Sequence, residues 1–331
     1  MKSKRIAWDA VSFLIPANWE LALYKFLKKG ITRVEIEDEY AVRMEAEWIR
    51  PTKRLHMNTI LARYEQRSRK LTMRASHRKP IEGLPAGWIA THYTLSETVP
   101  NTKRKTGLQV VKHGLVTAFY LSPDSRFFAF VILHFLPDDK EDPAAVTSLV
   151  ASEFRQHLDG PLVPWQLYDI AFELPRDFLL ESTLFDIGSK LMAFRWNRRR
   201  FYLWHFSCAD MFLKEGIVPE KWAAGHLNDF RRIRGGKFFV DSGGQIRWRR
   251  RRRHLIAYRD EIAHWCFKYE ARCHIDPEKN QLVAWVFHYR RQADLGVIPE
   301  SLRFGDCHDL VNVNLDAIGA SAAKGKKVTM R

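Results

Sequence analysis

Two stretches of the chain carry one pattern: VSFLIPANW at residues 11–19 and IAFELPRDF at residues 170–178. Val11, Phe13, Ile15, Pro16 and Trp19 match Ile170, Phe172, Leu174, Pro175 and Phe178 in order. Apolar residues at alternate positions describe a strand with one buried face. Proline stops such a strand because it has no N–H for the ladder. A pattern written twice predicts a unit built twice.

The residues after each stretch run in parallel as well. Residues 32–38 and 40–49 alternate like a hairpin with an acidic bend, and 190–196 and 200–207 do the same around a basic bend at 197–200. A helix is predicted next in each half. Over 52–71 it places Met57, Ile60, Leu61, Tyr64 and Leu71 on one side; over 219–233 it places Ala223, Leu227, Phe230 and Ile233 similarly. A second hairpin comes after it, 115–121 with 127–135 and 261–275 with 281–291. Both bends carry proline followed by an acid, which suits a tight turn. A further helix over 143–157 closes the first half. The expected fold is α+β: a tandem duplication of a unit with a mostly antiparallel sheet covered by helices on one face. The expected boundaries are 1–158 for the first unit, 159–310 for the second and 311–331 for a basic tail too rich in Ala, Gly and Lys to pack. The segments 69–79 and 103–105 read as exposed basic loops.

The strand–Pro–x–x–Trp opening of residues 11–19, and its counterpart at 170–178, resembles the start of PsbP-type α/β/α sandwich domains. Those domains serve as adaptors and accessory subunits. It covers about ten residues per half and transfers no functional residue.

Composition narrows the class. The 331 residues exceed what one ordinary core needs. Hydrophobic residues at 46%, with 21 Phe and 11 Trp, exclude a disordered chain. The longest apolar runs, such as 127–133, are too short to span a bilayer. Asp9, Ser12 and Pro16 follow the basic start where a signal peptide would be apolar, so export by that route is not expected. Cys208, Cys266, Cys273 and Cys307 form no CxxC pair, so reduced thiols in a cytoplasm are expected. Net charge is +16, which favours contact with a polyanion.

The charge is unevenly placed. The first hairpin is acidic (Glu35, Glu37, Asp38, Glu39, Glu45, Glu47), whereas its counterpart carries Arg195, Arg198, Arg199 and Arg200. Alternation puts Glu35, Glu37 and Glu39 on one strand face and Val34 and Ile36 on the other. The acidic face reads either as solvated or as docking on a basic surface. The densest basic run is Arg247, Trp248, Arg249, Arg250, Arg251, Arg252 and Arg253, followed by His254. On an extended chain it projects cations to both faces, and arginine offers phosphate a planar fork. Trp248 can stack on a base or anchor the strand in the core. The alternatives are a charged edge strand that resists aggregation and a sheet edge that binds an acidic partner. On the helix over 52–71, His56, Arg63, Arg67 and Lys70 line a face opposite the apolar one. That face either follows a phosphate backbone or is simply solvated. Arg231, Arg232 and Arg234 close the other helix, where cations suit the helix dipole.

Catalytic signatures are sparse. The chain has no GxxxxGK[ST] loop, no GxSxG elbow and no HExxH helix. His264, Cys266, Cys273, His274 and His288 are the best metal candidates, but strand alternation separates Cys273 from His264, Cys266 and His274. Cys307 and His308 are adjacent and read as loop residues. Alternating aromatics such as Trp204, Phe206, Trp285 and Phe287 read as sheet core. The expected function is non-catalytic binding of nucleic acid, DNA or RNA, or another polyanion, through Arg247–Arg253, His56, Arg63, Arg67, Lys70 and Arg198–Arg200. No cofactor, metal or membrane contact is expected. The alternatives are an adaptor subunit with a protein partner, and a metal-dependent nuclease using the first unit's carboxylates.

Overall fold

The computed structural model describes residues 2–27, 31–49, 57–100, 108–157, 160–167, 170–213, 216–230, 232–233, 236–250 and 268–298. The chain divides into two compact units, one over Met1–Gln156 and one from His157 onward. The expected tail, 103–105 and 251–267 lie outside the described residues, as do His56, Cys307 and His308.

The first unit opens with a hairpin, β1 (Ser3–Trp8) and β2 (Val11–Pro16). Then come β3 (Glu20–Leu27), β4 (Ile31–Glu37) and β5 (Val42–Ile49), the helix α1 (Met57–Leu71), and β6 (Ala75–Ile81), β7 (Trp88–Pro100), β8 (Leu108–Leu121) and β9 (Phe128–Phe135). The helix α2 (Pro143–Ser152) and a short strand β10 (Arg155–Gln156), paired with β2, complete it. The main sheet is antiparallel, in the order β3-β4-β5-β9-β8-β7-β6.

β9 reads FAFVILHF and is buried along nearly all its length, so both faces of the sheet are covered. On one face Ile60 and Tyr64 of α1 pack against Ile31, Ile49, Leu115, Phe128 and Phe130. Ser68 and Thr117 share a buried hydrogen bond of 3.1 Å between α1 and β8. On the other face Val34, Ile36, Met44, Ala46 and Trp48 are buried, and α2 packs against β2 and β7–β9. Phe154, just after α2, stacks on Phe13 and lies beside Trp88, Tyr120 and Phe127. Two polar devices hold the bends. Arg43 bridges Asp38, at the β4–β5 bend, and Asp139, after β9. Ser122 accepts hydrogen bonds from the Arg126 and Phe127 amides across the β8–β9 turn.

The second unit begins with the hairpin β11 (Leu162–Leu167) and β12 (Ile170–Pro175). It continues through β13 (Leu179–Asp186), β14 (Ser189–Trp196), β15 (Arg199–Ser207), α3 (Ala209–Leu213), α4 (Pro219–Asp229), β16 (Gly236–Val240), β17 (Ile246–Arg250), β18 (Lys268–Asp276) and β19 (Gln281–Tyr289). A 3₁₀ turn spans Gln292–Val297. Its sheet runs β13-β14-β15-β19-β18, and β16 pairs with β17. All nine residues of β19 are buried. Ala223, Ala224 and Leu227 of α4 pack with Tyr202, Trp204 and Phe206 on one face. On the opposite face Trp165 and Phe172 meet Phe194, and Phe178 meets Phe201 and Phe287.

The expected α+β class is therefore corrected. Among the described residues strands account for 56% and helices for 19%, in five short helices. The architecture is mostly antiparallel β, not a sheet blanketed by helices. Two physical facts explain the difference. Segments read as loops are edge strands: β6, with the sequence ASHRKPI, pairs with β7 while its side chains stay exposed. And each sheet has a second buried face, which in the second unit is packed by residues of a strand pair and the chain just after it. A PsbP-type α/β/α layering is not what that second face shows.

Candidate functional site

In the first unit, β4, β5 and β9 turn Arg33, Glu35, Glu45, Glu47 and His134 toward the face that carries α1. Their register makes this unavoidable, because Arg33 pairs with Glu47, Glu35 with Glu45, and Glu45 with Ile132. Residues directly opposite in an antiparallel ladder share a face. Arg67 descends from α1 to meet them. Its guanidinium binds Glu47 Oε1 at 2.5 Å and Glu45 Oε2 at 3.2 Å. Arg33 reaches Glu45 Oε2 at 2.7 Å, Glu47 Oε1 at 3.3 Å and Glu35 at 2.9 Å. The Tyr64 hydroxyl donates to Glu47 Oε2 at 2.7 Å, and His134 Nε2 donates to Glu45 Oε1 at 3.1 Å. Glu47 is only 3% exposed.

The electrostatics follow from these contacts. The hydrogen bond from His134 holds the Glu45 carboxyl below the usual glutamate range, and Arg33 and Arg67 add to it against the opposing effect of burial. Burial and the bond to Glu47 push the Tyr64 phenol well above its ordinary value. Glu45 is therefore a carboxylate and Tyr64 a neutral donor at neutral pH. Beside the network a cleft of about 900 Å³ opens, with Arg33, Glu45 and His134 in its floor and Lys70 and Arg74 among its lining.

The predicted site residues separate into two groups. Arg67, read from helix spacing as part of a basic row that follows a phosphate backbone or is simply solvated, instead neutralises buried carboxylates. Arg199 lies 4.1 Å over the Trp196 ring and pairs with Asp294 at 2.6 Å. Arg200 grips Glu181 with two bonds of 2.8 and 3.0 Å. Arg247 pairs with Asp241 at 2.9 Å across the β16–β17 bend. Trp248 lies against Tyr269 at 4.9 Å and directly over Gly236, so it anchors β17 inward. Arg250 approaches the same indole at 5.6 Å. Arg63, Lys70, Arg198 and Arg249 are exposed. Arg251, Arg252, Arg253 and His56 lie outside the described residues.

Spacing along one element missed two sets. The first is the cations Arg69, Arg74, Arg78 and Lys79, in a stretch read as an exposed basic loop but not assigned to the site; all are exposed, at the end of α1 and along β6. Together with Arg63 and Lys70 they meet no acidic partner among the described residues. The second is Arg33 and His134, which join Glu45 and Glu47 only through the register of three strands. Their signal was the shared parity of charged residues on neighbouring strands. Among the described residues no group of three or more His, Cys, Asp or Glu is placed to hold a metal ion. Cys273 packs beside Ala271 and Ala284, on the α4 face of its sheet.

Asp294 provides a pH test in the second unit. Arg199 and the amides of Arg290 and Arg291 donate to it. Against burial, which raises it, these donors bring its carboxyl to about 2 from an ordinary 3.8. A depressed carboxylate stabilises the fold above the unfolded value and loses that contribution as pH falls through the folded one. Asp294→Asn is expected to lower stability by about 2 kcal/mol at pH 7. In urea unfolding across pH, that gap closes between about pH 4 and pH 2. An equal gap at every pH would refute the assignment.

No family model and no curated protein matches the chain. Among solved structures, one from Bacteroides thetaiotaomicron is similar over 71% of this chain and 65% of its own, at 9% identity and a TM-score of 0.28. The chain thus spans less than two thirds of that structure's length, and a likeness of this size carries no argument about fold or function. No helix among the described residues is long and apolar enough to cross a membrane.

Proposed function

We propose that the chain binds nucleic acid, or a polyanion of similar charge density, through phosphate contacts with little base preference, and that it does so without catalysis. The observation that carries this reading is the uncompensated cation surface of α1 and β6. Arg63, Arg69, Lys70, Arg74, Arg78 and Lys79 are exposed and lack acidic partners among the described residues. The network's arginines are already neutralised and add little. Arg249 is an outward cation of the second unit that acts alongside. Neutralising several phosphates releases counterions, the dominant source of unspecific affinity. The chain's +16 net charge supports the same reading.

Two subsidiary proposals accompany it. The units descend from one ancestral unit: β2 and β12 carry the repeated sequence, and β13-β14-β15-β19-β18 repeats the order β3-β4-β5-β9-β8. A cytoplasmic setting suits the four cysteines, which form no CxxC pair in the sequence.

The test is fluorescence anisotropy of the full chain with labelled single-stranded DNA, duplex DNA and RNA in a salt series. Affinity is expected to fall steeply with salt. A variant with Arg63, Arg69, Arg78 and Lys79 changed to glutamine is expected to flatten the slope of log K against log salt by about 3. Salt-independent binding, or none at low salt, removes the proposal.

A further inference from the structure

We infer that the cleft beside the Glu45–Glu47 network is a binding site for a small amphipathic anion: one carboxylate, sulfonate or phosphate on an apolar body. Three observations converge. The cleft holds about 900 Å³, within the range of small-molecule sites. Its mouth is apolar and open: Val42, Leu71 and Met73, at 37%, 40% and 79% exposed, all line it. Three apolar side chains left in water around one opening mark a surface that an apolar body would cover.

The third observation is charge. Each carboxylate of the floor network already faces an arginine. Arg33 faces Glu35, Glu45 and Glu47, and Glu45 also takes the bond from His134. Lys70 and Arg74 line the same cleft without an acidic partner among the described residues, and with Arg33 they outnumber the lining carboxylates Glu35 and Glu45, so the excess is positive. A cation pair next to an apolar mouth recognises a ligand that is anionic at one end and apolar at the other. A neutral lipid-like molecule leaves the cations unused, and a bare anion leaves the apolar mouth in water.

The site does not depend on nucleic-acid binding, since a phosphate backbone has no apolar body to fill it. Met73 lines the cleft and is 79% exposed, so a serine there removes part of the apolar mouth without disturbing the core. The test uses 8-anilinonaphthalene-1-sulfonate fluorescence on the full chain. One saturable site is expected, displaced by decanoate and not by decanol at equal concentration. Met73→Ser is expected to weaken binding at least threefold while keeping the wild-type urea midpoint and nucleic-acid affinity. Lys70→Ala with Arg74→Ala is expected to weaken the probe at least fivefold. Probe binding unchanged in both variants, displacement by decanol as readily as by decanoate, or absence of a saturable site overturns the inference.

Discussion

Glu47→Ala is expected to destabilise the first unit by about 3 kcal/mol, the cost of removing one member of a buried ion cluster. Glu47 is almost wholly enclosed and satisfies three donors at once, from Arg33, Arg67 and Tyr64. Without it Arg67 keeps only Glu45 among these carboxylates, and the Tyr64 hydroxyl is left dry. Tyr64→Phe removes a single hydrogen bond and is expected to cost about 1 kcal/mol. Hydrogen exchange separates the two locally. Amides of β4, β5 and β9 should exchange about a hundredfold faster in Glu47→Ala if opening of this sheet governs them. A loss below 1 kcal/mol would mean that water already screens the cluster.

Trp248→Ala is expected to cost about 3 kcal/mol in the second unit, near the lower end for a large aromatic because the ring is only partly buried. The ring lies so close to Gly236 that a Cβ there would meet ring atoms at 2.2–2.4 Å. Gly236→Ala must therefore displace the indole, and it is expected to destabilise by a similar amount. Asn228 secures the same hairpin from α4. Its amide accepts from the Phe238 N–H at 2.7 Å and donates to the Phe238 carbonyl at 3.0 Å. Arg249 points outward, and Arg249→Ala should stay within about 0.5 kcal/mol of wild type. Urea unfolding of the four proteins checks this. If Trp248→Phe keeps stability but loses nucleic-acid affinity, the indole is a stacking platform and the anchoring role is wrong.

Strands with an alternating or nearly continuous apolar pattern were legible in the sequence. β2, β4, β5, β9, β14, β15 and β19 fall close to where periodicity places them. Edge strands were not. β6 holds a proline and three consecutive basic residues, and β13 leaves Leu179 and Leu184 in water, so neither shows the pattern of burial. Missing them inflated the weight of helices and produced the α+β expectation. The same limit governs the site. Helix spacing placed Arg67 on an outer row, but an arginine stem is long enough to turn its head toward buried carboxylates. Glu45 and Glu47 were visible as a pair on one strand face, whereas Arg33 and His134 join them only through register. Trp248 had two readings, and only the glycine opposite it distinguishes them.

The ion cluster under α1 also bears on how faithfully the first unit folds. A strand that slips by one residue exchanges its two faces. If β5 slipped against β4 and β9, Glu45 and Glu47 would enter the apolar layer that holds Val34, Ile36, Val131 and Leu133, away from Arg33, Arg67 and His134. Each carboxylate would then cost several kcal/mol. An all-apolar strand meets no such penalty when misaligned. The carboxylates thus act as a proofreading mark, leaving one alignment of the central strands tolerable and making misregistered intermediates short-lived.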